Sequence, residues 1–223
     1  QKGLYPVDIL INLSNVSAVG QADENYISVR EKLGLHDKVI FFYGGNIGHA
    51  QDMANLMRLA KNMQHLPDAH FLFIGQGDEV ELINSLAKKW DLTNFSYLPS
   101  VNQTEFKCIL TEMDVGLFSL SAQHTAHNFP GKLLGYMVHS LPILGSVNRG
   151  NDLLDIINMN KAGFIHINGE DDALLQSAEK LCLEKELRHS LGRNAQELLK
   201  QQFSVRAAAQ TIEMRLEAKN AFN

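Results

Sequence analysis

Short apolar runs alternate along the chain with segments of helical period. The runs are "VDILINL", "VIFFYGG", "HFLFIGQG", "FSYLP", "DVGLFSL", "LPILGS" and "AGFIHI", and most are bounded by glycine or proline. A brief, continuous apolar run of this kind suits a strand buried on both faces. Between the runs lie "AQDMANLMRLAKNM", "DEVELINSLAKKW", "QTEFKCILTEM", "KLLGYMVHS", "NDLLDIINM" and "DDALLQSAEKLC". Their apolar positions recur every three or four residues, which gathers them on one face of a helix. Strands alternating with amphipathic helices predict βαβ units, hence an α/β domain whose mostly parallel sheet is flanked by helices. After the last run the pattern becomes almost wholly helical, in "EKELRHSLGRNAQELLKQQFSVRAAAQTIEMRLEAKN", and predicts a helical C-terminal tail.

Local chemistry supports several boundaries. Asn102 followed by Glu105 is a capping-box pattern at a helix start. Asp78 follows "GQG" where a helix is expected, and an acidic side chain suits the positive end of the helix dipole. Ser204 is placed to cap the last helix, with Phe203 before it as a staple residue. Residues 1–35 are looser and read as a connector with an opening strand, leaving 36–223 as one domain. The chain opens at Gln1 without a basic-then-apolar leader, and we read it as a piece whose N-terminal partner lies elsewhere.

Composition narrows the function classes. The 223 residues are 45% hydrophobic, enough for one sizeable core, yet no apolar run approaches the roughly 20 residues that span a bilayer. The net charge of −5 is not gathered into runs, so the basic stripe of a nucleic-acid surface is absent. A small pocket can still bind an anion with one cation and oriented amides. Cys108 and Cys182 sit in helical patterns without metal or redox spacing, and are expected to be buried free thiols in a reducing compartment.

In open parallel sheets ligands bind outside the carboxyl ends of the strands, so the segments after each run carry the candidate chemistry. Gly44, Gly45, Asn46, Ile47 and Gly48 form a glycine loop before a helix. Such a loop permits close approach of backbone to a ligand, but glycines also end strands for conformational reasons alone. The pair in "GQGDE" reads as a tight turn. "FPGKLLGYM" is the stronger signal, because proline suits a helix start and glycine leaves the first-turn amides uncovered. Lys132 adds a mobile cation to the same end. Amides, dipole and cation together describe an anion site, as for a diphosphate; a surface helix start with a solvated lysine fits the same residues. Gly135 interrupts this helix at about 1 kcal/mol against alanine. His124 and His127 lack an acidic or cysteine partner at ligand spacing, Asp114 suits a turn or cap, and no nucleophile elbow is present.

Taken together and in order, "VIFFYGGNIGHAQDM", "HFLFIGQGDEVELINSLAKKW", "FSYLPSVNQTEFKCILTEMDVGLFSL", "FPGKLLGYMVHSLPILGS" and "LRHSLGRNAQELLKQQFS" resemble the C-terminal, donor-binding domain of retaining glycosyltransferases of the GT-B fold, specifically glycosyltransferase family 4. The resemblance covers the chain from about Val39 onward and implies a Rossmann-like sheet. The wording "GNIGHAQ" and "PGKLLGYM" is similar to bacterial O-antigen and capsule enzymes that transfer N-acetylated deoxy-sugars such as L-fucosamine from UDP.

The resemblance implies that the loop from Gly44 through Gly48, with Gln51 and Gly75, packs against a sugar diphosphate. It implies that His127, Asn128, Phe129 and Pro130 lead into a helix start whose Gly131, Lys132 and Leu133 hold that diphosphate, with Arg149 nearby. Tyr97, Leu98 and Pro99 would recognise uracil through backbone groups. The chain departs from the family where Asn46 and Gln51 replace two phosphate-binding cations, and where Gly135 and His127 replace paired glutamates. The implied reaction is metal-independent transfer with retention and no cofactor. The acceptor, lipid-linked or sugar, and the catalytic residues would belong to the N-terminal domain, so this piece alone would bind nucleotide weakly and not turn over. The implied place is the cytoplasm, with peripheral attachment to the inner face of the membrane through the full-length protein. A GT-B epimerase or phosphorylase-like domain shares the strand order, and a flavodoxin-like binding module is the non-enzymatic alternative.

Overall fold

The computed structural model describes residues 26–123 and 130–204. Six strands form one parallel sheet: β1 (Val39–Asn46), β2 (Ala69–Gln76), β3 (Phe95–Pro99), β4 (Val115–Ser119), β5 (Ile143–Val147) and β6 (Gly163–Ile167). Their order is β3-β2-β1-β4-β5-β6, the doubly wound arrangement, with the order reversing between β1 and β4. The helices are α1 (Val29–Leu33), α2 (Met53–Asn62), α3 (Val80–Lys89), α4 (Gln103–Leu110), α5 (Gly131–Val138), α6 (Leu153–Met159), α7 (Asp171–Leu183) and α8 (Lys185–Leu198). A π-helical turn, Leu199–Phe203, extends α8. The opening run "VDILINL" and the last predicted helix lie outside the described residues.

The sheet is buried on both faces, which is why its strands read as continuous apolar runs rather than alternating ones. In β1, Ile40 and Phe42 join one core with Leu72, Phe118, Leu134 and Met137. Phe41 and Tyr43 join the other with Phe71, Phe73, Leu56 and Ala178. An aromatic ladder crosses the second face: Phe41 stacks on Phe71 at 5.0 Å, Tyr43 tilts on Phe73 at 5.5 Å, and Phe73 meets Phe95 edge-on at 5.1 Å.

Several expectations need adjustment. The helix predicted from Ala50 begins at Met53, because a 3-10 turn, His49–Gln51, comes first and Asp52 is left-handed at φ 47°. The helix expected at Asp78 starts at Val80 with Glu79 as its cap residue. Asn102 does cap α4, its side chain accepting from Glu105 N–H at 3.0 Å. The span read as connector holds the short helix α1. Glu112 fastens it, accepting from the Tyr26 and Ser28 hydroxyls (2.6 and 2.7 Å) and from the Val29 and Arg30 N–H groups. Asp114 does the work of an anchor, taking the Arg30 guanidinium and the Ile40 N–H at the foot of β1. Cys182 is buried as expected and Cys108 only half-buried; both are free.

The open edge of the sheet is closed by side chains. Asn158 of α6 donates to the Ile165 carbonyl (2.8 Å) and accepts from the Ile165 N–H (2.9 Å). Two residues on, Ile167 donates its N–H to the Glu170 carboxylate and accepts from the Glu170 N–H.

Candidate functional site

Strands β1 and β4 pair only through Phe41–Val115 and Phe42–Gly116, and then diverge. The Tyr136 hydroxyl of α5 occupies the gap, accepting from the Gly44 N–H and donating to the Leu117 carbonyl, both at 3.2 Å. Its ring lies so close to Gly116 that a Cβ there would come within 2.4 Å. A fully buried phenol and a facing glycine thus hold the crevice open at the switch point. Burial also pushes the ionisation of Tyr136 far above its ordinary range.

Lys132, one turn earlier on α5, reaches past the end of β1. Its Nζ lies 3.8 Å from the centre of the Tyr43 ring, which belongs to the opposite face of the sheet. Gly45 lies alongside at φ +111°, where a Cβ would make only an ordinary contact with the Lys132 Cε, at 3.7 Å. The stem is partly exposed, but the amine is fully covered and, among the described residues, has no hydrogen-bond partner. Burial lowers its pKa to about 7. The mobile cation expected from sequence is therefore a stowed amine, since the aromatic ring and the end of β1 enclose it without a counter-charge among the described residues.

Gly45 also lines a cleft of about 300 Å³ above β1, β2 and the β3–α4 connection. Ile74, Val101 and Phe106 supply its apolar lining, and Asn46, Gln76 and Ser100 its polar groups. The Ser100 hydroxyl donates to the Gln76 side chain at 3.1 Å. Behind the cleft, the loop after β1 is tied to the loop after β2. The His49 ring sits 2.8 Å from Glu79 and 3.4 Å from Asp78, and Glu79 also accepts the Met53 N–H.

This geometry revises the roles expected of the glycine loop. Gly44, Gly45 and Asn46 continue β1 and pair in register with Ile74, Gly75 and Gln76. The Gly44 N–H is spent on Tyr136. Ile47 is fully buried, donates to the Gln76 carbonyl and accepts from the Glu79 N–H, so neither its side chain nor its backbone is free for a ligand. Asn46 and Gln51 bond each other at 2.9 Å. Tyr97, Leu98 and Pro99 are strand residues paired with β2, and the Tyr97 hydroxyl donates to the Gly75 carbonyl. The cleft is lined by the next two residues, Ser100 and Val101, instead.

At α5, Pro130 is the cap residue and accepts the Leu133 N–H, leaving the amides of Gly131 and Lys132 without an intrahelical partner. Arg149 is exposed on the loop after β5. His127, Asn128 and Phe129 lie outside the described residues. Among those that are described, no group of three His, Cys, Asp or Glu could hold a metal ion.

Gly135 faces α4, and a Cβ there would meet only the Leu110 Cδ1 at 3.7 Å. Alanine therefore fits and recovers helix propensity. We expect Gly135→Ala to stabilise the protein by about 1 kcal/mol, seen as a melting temperature higher by roughly 2–4 °C; a lower one would show that the glycine is needed for packing.

Sequence reasoning missed Tyr43, Tyr136 and Phe106. Each is an aromatic in an apolar pattern, and only pairing across the sheet reveals that it shapes the site.

Known proteins share this architecture. The probable glycosyltransferase WbjE of Pseudomonas aeruginosa is 27% identical over 192 residues, covering 85% of this chain and 46% of that protein. This chain thus spans about half the length of that relative. Anabaena HepE, solved in complex with UDP, superposes with a TM-score of 0.70 at 15% identity, covering 85% of this chain and 51% of that one. The C-terminal domain of the glycosyl transferase group 1 family protein LpcC from Francisella tularensis superposes at 0.66 with 12% identity, covering 86% of this chain and 98% of that one. These likenesses show the fold, a Rossmann-like domain of the GT-B type. The family model for glycosyl transferases group 1 matches residues 26–198, and the chain belongs to that family.

Proposed function

We propose that this domain binds the nucleotide-sugar donor of a retaining glycosyltransferase of family 4, with UDP as the nucleotide. The observation that carries the reading is the unpartnered Lys132 amine at the start of α5, inside the crevice between β1 and β4. A diphosphate there would meet the free Gly131 and Lys132 amides, the helix dipole and the lysine. The adjoining cleft, apolar on Ile74, Val101 and Phe106, has the size and character for a base. HepE structures with UDP and with UDP-glucose support this choice of ligand.

In the reaction, charge develops on the departing diphosphate, and oriented amides with one cation stabilise it without a metal. Arg149 adds a second cation from the loop after β5. The acceptor, lipid-linked or sugar, and the groups that face it belong to a partner domain. WaaG, involved in lipopolysaccharide biosynthesis, superposes with a TM-score of 0.67 and supports a role in cell-surface polysaccharide assembly. The resemblance of "GNIGHAQ" and "PGKLLGYM" extends the proposal to an N-acetylated deoxy-sugar such as L-fucosamine. No helix among the described residues is long and apolar enough to cross a membrane. We place the enzyme at the cytoplasmic face, attached peripherally through its other parts.

Thermal shift against UDP, GDP, ADP and FMN tests the reading. Stabilisation that grows with ligand concentration for UDP alone is expected. Stabilisation by FMN alone would overturn the proposal in favour of a flavodoxin-like module.

A further inference from the structure

We infer that Lys132 stands in the free site as a neutral amine and becomes a cation only as the diphosphate arrives, so that donor binding takes up a proton. This rests on the reading of the crevice as a diphosphate site and adds a property to it.

The geometry leads to it directly. An ammonium group carries three donors, and covering all of them without a partner penalises the charged form. The Lys132 Nζ is covered in this way. Burial brings the amine's pKa to about 7, and the Tyr43 ring at 3.8 Å carries no negative charge.

Among the described residues, the groups around it supply no negative charge. From β1, the Tyr43 hydroxyl donates to the Asn46 carbonyl, and burial pushes its ionisation far up. Gly45 presents only backbone. From α5 itself, Tyr136 is neutral and engaged with Gly44 and Leu117. Glu79 acts electrostatically on Tyr43, and its carboxylate is occupied by His49 and the Met53 N–H. Asn46 and Gln51 satisfy each other. A diphosphate would be the first anion to reach the amine, and an opposite charge at contact distance favours the protonated form.

The consequence is a linkage between donor affinity and pH. With a free-state pKa of about 7, the amine is mostly neutral at pH 8, so binding there should take up close to one proton. Affinity then falls as pH rises above 7, by up to about tenfold per pH unit.

The test is titration calorimetry of the full chain, with any further domain it carries, against UDP-glucose. That ligand's diphosphate is esterified at both ends and does not itself titrate near neutrality. Heats measured at pH 8 in two buffers of different ionisation enthalpy give the proton count. Close to one proton is expected for the wild type. Lys132→Met should bind more weakly with no net uptake, while melting no lower than the wild type, because an apolar chain suits the pocket better than an unpaired amine. As a check that needs no variant, isotopically labelled lysine followed by NMR should show one amine titrating near pH 7 in the free protein and moving upward with UDP-glucose. Binding without proton uptake would overturn the inference and leave the donor reading standing. Uptake that persists in Lys132→Met, or lysines that all titrate in the ordinary range, would also overturn it. Failure of both UDP and UDP-glucose to bind at pH 7 and at pH 8 would overturn the donor reading itself.

Discussion

Gly75→Ala is expected to be the most damaging single methyl group that can be added near the site. Gly75 pairs with Gly45 in the β1–β2 register, and a Cβ on it would stand 1.8 Å from the Gly45 carbonyl oxygen. The obstacle is backbone, so no rotamer change relieves it. Either β2 moves away from β1 or the Gly45 peptide turns, and Gly45 both lines the cleft and lies beside the Lys132 side chain. Overpacking in a tight interior costs 1–3 kcal/mol and sometimes more; with a rigid obstacle we expect about 3 kcal/mol. For a domain of this size that lowers the melting temperature by roughly 6–12 °C, and nucleotide binding should fall with it. A variant within 1 °C of wild type would show that the two strands yield far more easily than their packing implies.

Glu112→Ala should cost a similar amount for a different reason. Its carboxylate collects four donors, two hydroxyls and two amides, from residues 26–30, and so fixes α1 to the α4–β4 connection. Truncation strands those donors, and we expect a loss of about 3 kcal/mol. The pH dependence has a definite sign. Burial alone would raise the Glu112 pKa, but hydrogen bonds from Tyr26, Arg30, Ser28 and Val29 outweigh it and hold the value below the ordinary carboxylate range. Its contribution is therefore complete above the unfolded pKa and is lost as pH falls through the folded one. Thermal unfolding followed from pH 7 down to acid should show a steeper decline for the wild type than for Glu112→Ala; parallel curves would remove Glu112 from the acid response. Exposure of the group to solvent keeps this pH-linked part smaller than the whole effect of truncation.

These two residues also illustrate how unevenly the fold could be read from sequence. "VIFFY" and "HFLFI" announced themselves as strands because a parallel sheet buried on both faces needs unbroken apolar runs. The capping by Asn102 was equally legible, since its donor lies only three residues away. By contrast, the left-handed Asp52 and the 3-10 turn before α2 leave no periodic trace, and the predicted helix began too early. Helix α1 depends on Glu112, more than eighty residues distant. The same distance hid the state of Lys132. "FPGK" pointed to a helix start bearing a cation, but whether the amine is solvated or stowed depends on Tyr43 and Gly45 across the sheet. The glycine loop was quoted for its freedom to approach a ligand. Phe106 and Phe42 leave no room for a side chain at Gly44, Asp78 and Asn46 leave little at Gly48, and Gly45 takes a φ of +111°.

The side chains that close β6 carry a consequence for how the molecule behaves in company. A parallel sheet with a bare outer strand offers a template on which a second chain can add its own strand. Here the outward-facing peptide groups of Ile165 and Ile167 are already answered, by the Asn158 amide and by Glu170. An incoming strand would have to displace both to pair with these residues. Among the described residues the sheet ends at its sixth strand, and crowding by copies of the same chain gives little encouragement to grow it along that border.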